Sequence, residues 1–346
     1  MAPGFPENEQ DDRCIPALQE YLRAFARSHP EIRVTVIALH YPFSPHRYRW
    51  HGIDVVPLAG RNRNLNKAFL WYRALREAEK IDRSHPVDVV HSFWLGECAI
   101  IGAIASRRRQ VLHCCTLMGQ EMRSSNRYAS LLARGRTQFI ALSEPQARDF
   151  FRQTGKRVGH IIPWGIDDQR ADDPDGRDID LLGAGSLIAV KNFQLFLTTV
   201  RAMLRRRPGL RCVIAGDGPE RSALAAMVKA NGLEKNVTLT GMIPRHETLA
   251  LMRRSRILLH PSLYEGFGYV FAEALASGAH IVSFDVGCAR EHPHWHIARG
   301  DQEFLRQAED VLSTVVDHAP ANLFPLGSTL TSYAALYGVG EGTDLP

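Results

Sequence analysis

The stretch HPSLYEGFGYVFAEALASGAHIVS, residues 260–283, decides the fold prediction. An apolar run, residues 257–259, leads into it and ends at His-Pro-Ser, which is typical of a buried strand that meets a loop. A short apolar-periodic helix is predicted from Tyr269 to the glycine at position 278, and a second apolar strand over His280–Phe284. The stretch therefore predicts a strand, a glycine-rich turn, a helix and another strand.

The glycine-rich turn contains Gly266, Phe267 and Gly268, and it lies at the start of the predicted helix. The first amides of a helix lack intrahelical acceptors, and the helix dipole is positive at this end, so the turn favours an anion such as a phosphate. Two carboxylates, Glu265 and Glu273, flank the turn. They suit a phosphate that carries sugars, because carboxylates accept strong hydrogen bonds from hydroxyl groups. An ordinary helix start with solvated acids is the alternative, and the α/β setting must decide between the two.

The segment EGFGYVFAE, residues 265–273, resembles the donor-sugar motif of the retaining, GT-B-type glycosyltransferases of family four, also called the group 1 transferases. Its flanks, LLHPSLY before and ALASGAHIV after, lie where that family has them. The resemblance implies that Glu265 faces the hydroxyls of the transferred sugar and that Glu273 holds the ribose hydroxyls. The backbone N–H groups of residues 266–268 are then expected to meet the sugar and the phosphate.

A second strand–turn–helix pattern, GAGSLIAVKN, covers residues 183–192. It lacks the third glycine of a dinucleotide fingerprint. It is similar to the family loop that carries a basic residue to the diphosphate, so Lys191 is assigned there as a compact point charge. A surface lysine near a helix start is the alternative. Ser186 stands where the family usually has an arginine, so one cationic contact is absent or replaced by a hydroxyl.

Two further turns match weaker signals of the same family. The turn GDGP, residues 216–219, matches the GxGP turn and is expected to shape the loop under the nucleotide. The turn GMIP, residues 241–244, lies where the family's backbone meets the nucleobase. Ile243 is therefore the candidate residue at the base.

The first half departs further from the family pattern. Met118 stands where the family often has a histidine near the reacting sugar, and the nearby Gln120 is a candidate to bond a sugar or acceptor hydroxyl. His91, at the tip of another predicted strand, is a second candidate, with a satisfied structural histidine as the alternative. Gly4 lies in the loop that approaches the donor and the acceptor in the family. These three residues are the predicted acceptor-side candidates.

The sequence predicts that the first strand of the first half is missing. Residues 3–12 resemble the loop that follows such a strand, and a helix is predicted from about residue 15 to residue 28. Either the chain is a truncated reading or the sheet lacks one strand. In the second case the strand predicted over residues 34–39 loses a neighbour, which makes the N-terminal domain less stable.

Strands and helices alternate in both halves, which predicts parallel sheets covered on both faces. Residues 167–180 are rich in Asp, Gly and Pro and mark a domain boundary. With the resemblance, the expected fold class is α/β of the GT-B type, two Rossmann-like parallel-sheet domains facing across a cleft. The expected domains are an acceptor-side domain over residues 1–165, a nucleotide-sugar-binding domain over residues 166–325, and a helix over residues 326–346 that crosses back to the first domain.

Composition places the chain among ordinary globular proteins, with 346 residues, 45% hydrophobic and 23% charged. The six cysteines show no CxxC pairing, which favours reduced thiols in a cytosolic protein. The acidic N-terminus does not resemble a signal peptide, and the longest weakly polar run, residues 95–106, is too short to cross a bilayer. We therefore expect a cytoplasmic protein.

Basic residues give a net charge of +5, with dense arginine runs at residues 107–109 and 205–207. Solvated helix ends explain such runs; a weak basic face for an anionic acceptor or for the inner surface of the plasma membrane is the alternative. No basic stripe is interleaved with aromatic residues, so a nucleic-acid partner is not expected.

The alternating histidines His292, His294 and His296 share one face if the segment is extended. Imidazoles are common metal ligands, so a metal site is one alternative. The resemblance implies no bound metal and no cofactor other than the donor substrate, and none is expected here.

The expected function is retaining transfer of a sugar from a nucleotide-diphosphate sugar to a glycan or lipid-linked acceptor. The main alternative is a degenerate GT-B protein that binds a nucleotide sugar or a partner without catalysis, which Ser186, Met118 and the missing strand motivate. A nicotinamide-dependent oxidoreductase is a third reading, but neither half has a complete glycine fingerprint.

Overall fold

The computed structural model of the chain divides into two compact units, which we call unit 1 and unit 2. Unit 1 comprises Met1–Gly165 with Leu326–Pro346, and unit 2 comprises Ile166–Pro325. The structure describes residues 1–62, 67–119, 121, 126–167 and 176–339.

In its described residues, unit 1 carries two four-stranded, mostly parallel sheets with helices packed against them. Its strands are β1 (Ala2–Gly4), β2 (Thr35–Tyr41), β3 (Tyr48–Trp50), β4 (Ile53–Pro57), β5 (Val89–Phe93), β6 (Leu112–Thr116), β7 (Gln138–Ala141) and β8 (His160–Ile161). Its first helices are α1 (Pro16–Ser28), α2 (Lys67–Ser84), α3 (Glu97–Arg109), α4 (Arg127–Ala133) and α5 (Glu144–Thr154). The strands run in the orders β1-β2-β4-β3 and β5-β6-β7-β8, and β3 pairs antiparallel with β4.

The first strand is present, so the prediction that it is missing was wrong. β1 pairs parallel with β2 through Ala38 and Tyr41, and the N–H of Phe93 in β5 donates to the carbonyl of Met1 at 2.9 Å. At three residues, Ala-Pro-Gly, β1 is too short to form an apolar run that sequence patterns would reveal. β1 pairs with β2 at Ala38 and Tyr41, and the earlier residues of β2 have no such pairing with β1. There, the amino-terminal halves of β2 and β5 line a cavity of about 720 Å³.

Unit 2 is a parallel sheet covered by helices. Its strands are β9 (Ile179–Ala184), β10 (Cys212–Ala215), β11 (Val237–Gly241), β12 (Ser255–His260), β13 (His280–Phe284) and β14 (Trp295–Ala298). Its helices are α6 (Phe193–Met203), α7 (Arg221–Ala230), α8 (Arg245–Arg253), α9 (Tyr269–Ala276) and α10 (Asp301–Ser313), and a 3₁₀ turn covers Ala189–Lys191. Leu181, Leu258 and Leu259 are fully buried, as is typical of parallel strands covered on both faces.

The strand order of unit 2 is β11-β10-β9-β12-β13-β14, and each neighbouring pair is parallel. Starting from β9, the chain first builds the sheet outward on one side and then returns to place β12 on the other side. In open α/β sheets, ligands bind outside the carboxyl ends of the strands at such a reversal point. The carboxyl ends of β9 and β12 are therefore where a site is expected in unit 2.

The last helix, α11 (Leu326–Leu336), belongs to unit 1. Its Tyr333 packs against Tyr21 of α1, with ring centroids 4.7 Å apart. A Cβ on Gly165 would lie 2.4 Å from the Cα of Leu326, so the glycine permits this close approach of the two chain segments. Among the described residues, none of the helices is long and apolar enough to cross a membrane.

Candidate active site

The strongest candidate site lies at the reversal point of unit 2. Lys191 ends the 3₁₀ turn that follows β9, and Glu265 lies in the loop that follows β12. The Nζ atom of Lys191 contacts Oε1 of Glu265, and the two side chains are only 16% and 10% exposed. Two residues that the sequence assigned to one ligand are thus in direct contact.

His260, the last residue of β12, completes a cluster of three polar side chains. Its Nε2 lies 2.7 Å from the same Oε1 atom of Glu265, and its side chain is 1% exposed. Burial alone would raise the pKa of Glu265, but the charge of Lys191 and the hydrogen bond from His260 outweigh it and lower this pKa to about 2. Burial lowers the pKa of His260 more than Glu265 raises it. Glu265 is therefore an anion and His260 is neutral at physiological pH.

The glycine-rich turn after Glu265 has a backbone that few other residues could adopt. Gly268 precedes α9 with φ at +83°, and a Cβ there would lie 2.5 Å from the ring of Phe271. A Cβ on Gly287 would lie 2.3 Å from the carbonyl oxygen of Phe267, so the loop after β13 packs directly against the backbone of the turn. The side chain of Phe267 packs edge-on against Phe324 at 5.0 Å, which leaves only its backbone for a ligand.

The GDGP turn is packed directly against the loop that precedes Lys191. A Cβ on Gly216 would lie 1.9 Å from the carbonyl oxygen of Gly185, and the N–H of Leu187 donates to the carbonyl of Asp217 at 2.9 Å. The turn therefore shapes the backbone of residues 185–187, in agreement with the structural role predicted for it. Ser186, on the same loop, is exposed to solvent.

Glu273 lies on α9 and is held by a residue that the sequence analysis missed. The Nε atom of Arg245, the first residue of α8, lies 2.8 Å from Oε1 of Glu273. The Arg245 guanidinium carbon also lies 5.8 Å from the ring centroid of Tyr269. Ile243, the predicted nucleobase contact, is half-buried and precedes Arg245 by two positions. The sequence shows Arg245 only as one arginine among many, so no local signal identified it.

The acceptor-side candidates lie in unit 1, where His91 belongs to a buried network. Its Nδ1 lies 2.5 Å from the hydroxyl of Tyr337, and its Nε2 lies 2.8 Å from the hydroxyl of Thr116. Thr116 in turn lies 3.0 Å from the hydroxyl of Tyr333 on α11. Burial lowers the pKa of His91 well below its ordinary value. Both ring nitrogens are occupied within the chain, which favours the structural alternative for this residue.

The other residues predicted on the acceptor side occupy different surroundings. Gly4 ends β1, and a Cβ there would lie 3.4 Å from Cβ of Tyr41. The backbone N–H groups of Met118 and Gly119 donate to the carboxylate of Glu121 at 2.5 and 2.7 Å. Burial raises the pKa of Glu121, a residue that the sequence analysis did not single out. Gln120 lies outside the described residues.

The alternating histidines form a packed cluster with His280 at the amino end of β13. The ring centroids of His294 and His296 lie 4.6 and 5.5 Å from that of His280. The segment is not extended throughout, because it turns between His292 and Trp295, where the N–H of Trp295 donates to the carbonyl of His292 at 2.8 Å, so the condition for the predicted shared face is not met. His318 packs edge-on against the same ring at 5.2 Å. Within the described part of the chain, no group of three His, Cys, Asp or Glu side chains is placed to hold a metal ion. The metal alternative for these histidines is therefore not supported.

Solved structures define the class of fold. The chain superimposes on Anabaena HepE, solved in complex with UDP and glucose, with a TM-score of 0.73 and 17% identity, covering 96% of this chain and 98% of that one. It superimposes on sucrose-phosphate synthase from Thermosynechococcus elongatus with a TM-score of 0.76 and 15% identity, covering 98% of each chain. At these identities the likeness concerns the fold, and it confirms the α/β fold of GT-B glycosyltransferases with two Rossmann-like units.

Sequence comparison matches part of the chain to one family. Residues 166–292 match the family of glycosyl transferases group 1. The chain is 32% identical over 126 residues to the gpi3 subunit of phosphatidylinositol N-acetylglucosaminyltransferase from Schizosaccharomyces pombe, covering 36% of this chain and 28% of that protein. It is 25% identical over 259 residues to 2-deoxystreptamine glucosyltransferase from Streptomyces kanamyceticus, covering 64% and 66%. Residues 166–292 thus match the group 1 glycosyl transferases, the family that the sequence motifs resemble, and the chain spans less than a third of the gpi3 subunit.

Proposed function

We propose that this chain transfers a sugar from a nucleoside-diphosphate sugar to a hydroxyl group of a glycan or lipid-linked acceptor, with retention of the anomeric configuration. The observation that carries the proposal is the contact between Lys191 and Glu265 beside the glycine turn, at the reversal point of the unit 2 sheet. A cation, backbone amides and an anion in one place match a ligand that combines a phosphate with sugar hydroxyls.

The diphosphate is assigned to Lys191 and to the amides at the start of α9. Lys191 is mostly buried, so its charge acts in a medium where electrostatic interactions are stronger than in water. The αL conformation of Gly268 directs the chain into α9, whose first amides lack intrahelical acceptors. We propose that these groups, with no bound metal, meet the negative charge of the diphosphate.

The sugars are assigned to the two carboxylates. Glu265 stays ionised, and its two protein donors both reach Oε1, so Oε2 is the atom that we assign to a hydroxyl of the transferred sugar. Glu273 is oriented by Arg245 and is assigned to the ribose hydroxyls. Ile243, near the start of α8, is assigned to the nucleobase.

The reaction breaks the bond between the anomeric carbon and the diphosphate oxygen and forms a bond from that carbon to the acceptor oxygen. The bond electrons leave with the diphosphate, so negative charge grows there, and the sugar acquires the character of an oxocarbenium ion. Lys191 and the amides of the turn stabilise this charge more in the transition state than in the ground state, which is what accelerates the reaction. The acceptor proton passes to an oxygen of the leaving diphosphate.

For the acceptor, we propose only a chemical class, a molecule with a free hydroxyl group. Two relatives are named for transfer to phosphatidylinositol and to 2-deoxystreptamine, which are hydroxyl-bearing acceptors of different kinds. We place the protein in the cytoplasm because its six cysteines are all unpaired, as reducing compartments favour. Contact with the inner face of the plasma membrane follows if the acceptor is lipid-linked.

A donor screen tests the proposal. Thermal shifts with UDP-, GDP- and ADP-sugars identify the nucleotide, and UDP-glucose leads the panel because the HepE structure holds UDP and glucose. A nucleotide-release assay with the bound donor and a hydroxyl acceptor then measures transfer. Release that depends on both substrates supports the enzyme. Binding without release supports the degenerate GT-B alternative, and no binding by any donor contradicts the proposal.

A further inference from the structure

We propose that His260 is a positioning residue, which holds the Glu265 carboxylate in place through a single N–H donated by its neutral imidazole. The inference rests on the proposed function, because Glu265 matters in this way only if it meets the sugar of the donor. It adds to the site a residue that neither the sequence motifs nor the family match assigns.

The β-sheet holds the backbone of His260 in place independently of its side-chain contacts. His260 ends β12 and pairs with Ser283 in β13, so it belongs to the central part of the sheet. Its ring packs edge-on against Phe271 of α9, with centroids 4.9 Å apart. The imidazole thus joins the strand before the glycine turn to the helix after it, and Glu265 lies between the two.

The hydrogen bond to Glu265 determines which nitrogen of His260 carries the proton. An ionised carboxylate only accepts hydrogen bonds, so the N–H must be on Nε2, which lies 2.7 Å from Oε1. The other nitrogen, Nδ1, is buried and has no hydrogen-bond partner in the described part of the structure. A proton on Nδ1 would be a buried donor without an acceptor, which is unfavourable. His260 is therefore a neutral donor with one N–H.

The second hydrogen bond to Glu265, from His260, becomes important once the nucleoside-diphosphate sugar binds. Lys191 and His260 both contact Oε1, but only Lys191 carries a charge that the diphosphate can attract away. When Lys191 turns toward the diphosphate, the hydrogen bond from His260 remains and keeps Oε2 directed at the sugar. Without His260, the carboxylate would lose its orientation at the step where it is needed.

Two substitutions separate the hydrogen bond from the packing. His260→Gln retains a side-chain N–H donor, and His260→Leu removes it at similar volume. We expect His260→Leu to lower kcat by about 10- to 100-fold, the effect of one hydrogen bond to a charged group, while the affinity for the nucleoside diphosphate changes less than about twofold. His260→Gln should recover most of kcat. The acid limb of the pH–rate profile should move to higher pH in His260→Leu, because Glu265 then loses a donor that lowers its pKa.

A measurement on the unmodified protein does not depend on catalysis or on the folding of a variant. Nitrogen-15 NMR of His260 should show a protonated Nε2 and a bare Nδ1 between pH 6 and pH 8. A proton on Nδ1, or on both nitrogens, overturns the proposal whether or not the protein transfers sugar. Equal losses in the Gln and Leu variants with an unmoved pH profile also overturn it, since they indicate packing alone. Absence of transfer in the unmodified protein contradicts the proposed function, and the NMR result still decides the hydrogen bond.

Discussion

His91 in unit 1 and His260 in unit 2 are two histidines on parallel strands, and they illustrate how the two units differ. His91 binds the hydroxyl groups of Thr116 and Tyr337 with both of its ring nitrogens. Among the described residues, the ring of His260 has one hydrogen-bond partner, the carboxylate of Glu265, which also contacts Lys191. A histidine on a strand is therefore not a site by itself. The chemistry of the partner distinguishes the two: buried hydroxyls such as that of Thr116 in β6 complete a packed network, whereas an ionised carboxylate beside a lysine is the pair that we assign to a ligand.

The same difference appears in the carboxylates of the two units. Glu121 in unit 1 accepts from the backbone N–H groups of its own loop, with both oxygens engaged at 2.5 and 2.7 Å. Glu265 in unit 2 receives its two side-chain donors on one oxygen. We therefore expect substitutions in the unit 2 cluster to change donor binding and turnover, and substitutions in the unit 1 network to change stability alone.

The largest expected effect is that of Glu265→Gln, which keeps the shape of the side chain and removes its charge. Turnover should fall by about 10²- to 10³-fold, as for loss of one group that stabilises a transition state, and Glu265→Ala should abolish transfer with the fold intact. Glu247→Gln, an exposed carboxylate on α8, is the matched control. Initial rates measure the turnover, and circular dichroism checks that the fold is intact. Normal turnover in Glu265→Gln would place the reacting sugar elsewhere.

The next effect is that of Lys191→Met, which removes the charge assigned to the diphosphate. Affinity for the nucleoside diphosphate should fall by about 10- to 100-fold, because a hydrogen bond to a charged group is lost. Lys229→Met, an exposed lysine on α7, should leave the affinity unchanged. Isothermal titration calorimetry measures both. Equal affinity in the two variants would contradict the assignment of Lys191.

A backbone substitution in unit 2 tests the support for the loop before Lys191. In Gly216→Ala the new Cβ would lie 1.9 Å from the carbonyl oxygen of Gly185, and φ is +149°. The variant should be destabilised by about 1–3 kcal/mol and should also bind the nucleotide more weakly. Gly209→Ala is the control, since nothing lies within 4 Å of its Cβ position. Chemical denaturation gives the stability, and unchanged stability would show that the two loops separate easily.

The matching substitution in unit 1 is Thr116→Val, which removes a hydroxyl that contacts both His91 and Tyr333. The free energy of unfolding should fall by about 1–3 kcal/mol, because buried polar groups lose their partner. Affinity for the nucleoside diphosphate should remain that of the unmodified protein. Thr198→Val, exposed on α6, serves as the control for stability. A loss of nucleotide affinity in Thr116→Val would break the contrast between the units.

The smallest expected effect is on the stability of the fold at acidic pH. Burial lowers the pKa of His280 to about 4, and its ring faces His294, His296, His318 and the carbonyl of Asp317. The folded state therefore binds fewer protons than the unfolded state below pH 6.5. The stability from this group is complete above pH 6.5 and is lost as the pH falls through about 4.

His280→Asn measures this acid effect. The variant should lose less stability than the unmodified protein between pH 7 and pH 4, by about 1–3 kcal/mol in urea unfolding. His160→Asn, exposed in unit 1, should keep the full loss. If both variants lose stability alike, the histidine cluster does not carry the acid sensitivity.

The sequence predicted the local structure around Glu265 and Lys191 because each residue lies in a continuous pattern. The strand, turn and helix around Glu265 follow each other within one stretch, and Lys191 lies in a second strand–turn–helix. The contact of Lys191 with Glu265 spans 74 positions and was not predicted, and only the family resemblance assigned the two residues to one ligand. His260 stood in the opening stretch, but the pattern there indicated only a strand end, because nothing local shows which way its ring turns.

The remaining features depend on contacts that no sequence pattern encodes. Arg245 reaches Glu273 across 28 positions, and the network of His91 requires α11 to pack on unit 1, 246 positions along the chain. β1 escaped notice because three residues of Ala, Pro and Gly carry no periodicity, and its existence is visible only in its pairing with β2. β14 (Trp295–Ala298) escaped because its one histidine, His296, was grouped with His292 and His294 before it as a metal-site alternative.

The most direct test of the account compares two ligands on the same protein: the nucleoside diphosphate and its sugar-bearing form, titrated by calorimetry. The account predicts that Lys191→Met weakens binding of both ligands, because both carry the diphosphate. Glu265→Gln should weaken binding of the sugar-bearing ligand alone, because Glu265 is the residue that we assign to the sugar. If Glu265→Gln weakens binding of both ligands as Lys191→Met does, or if neither substitution changes the affinity for either ligand, the separate roles proposed for Lys191 and Glu265 are contradicted.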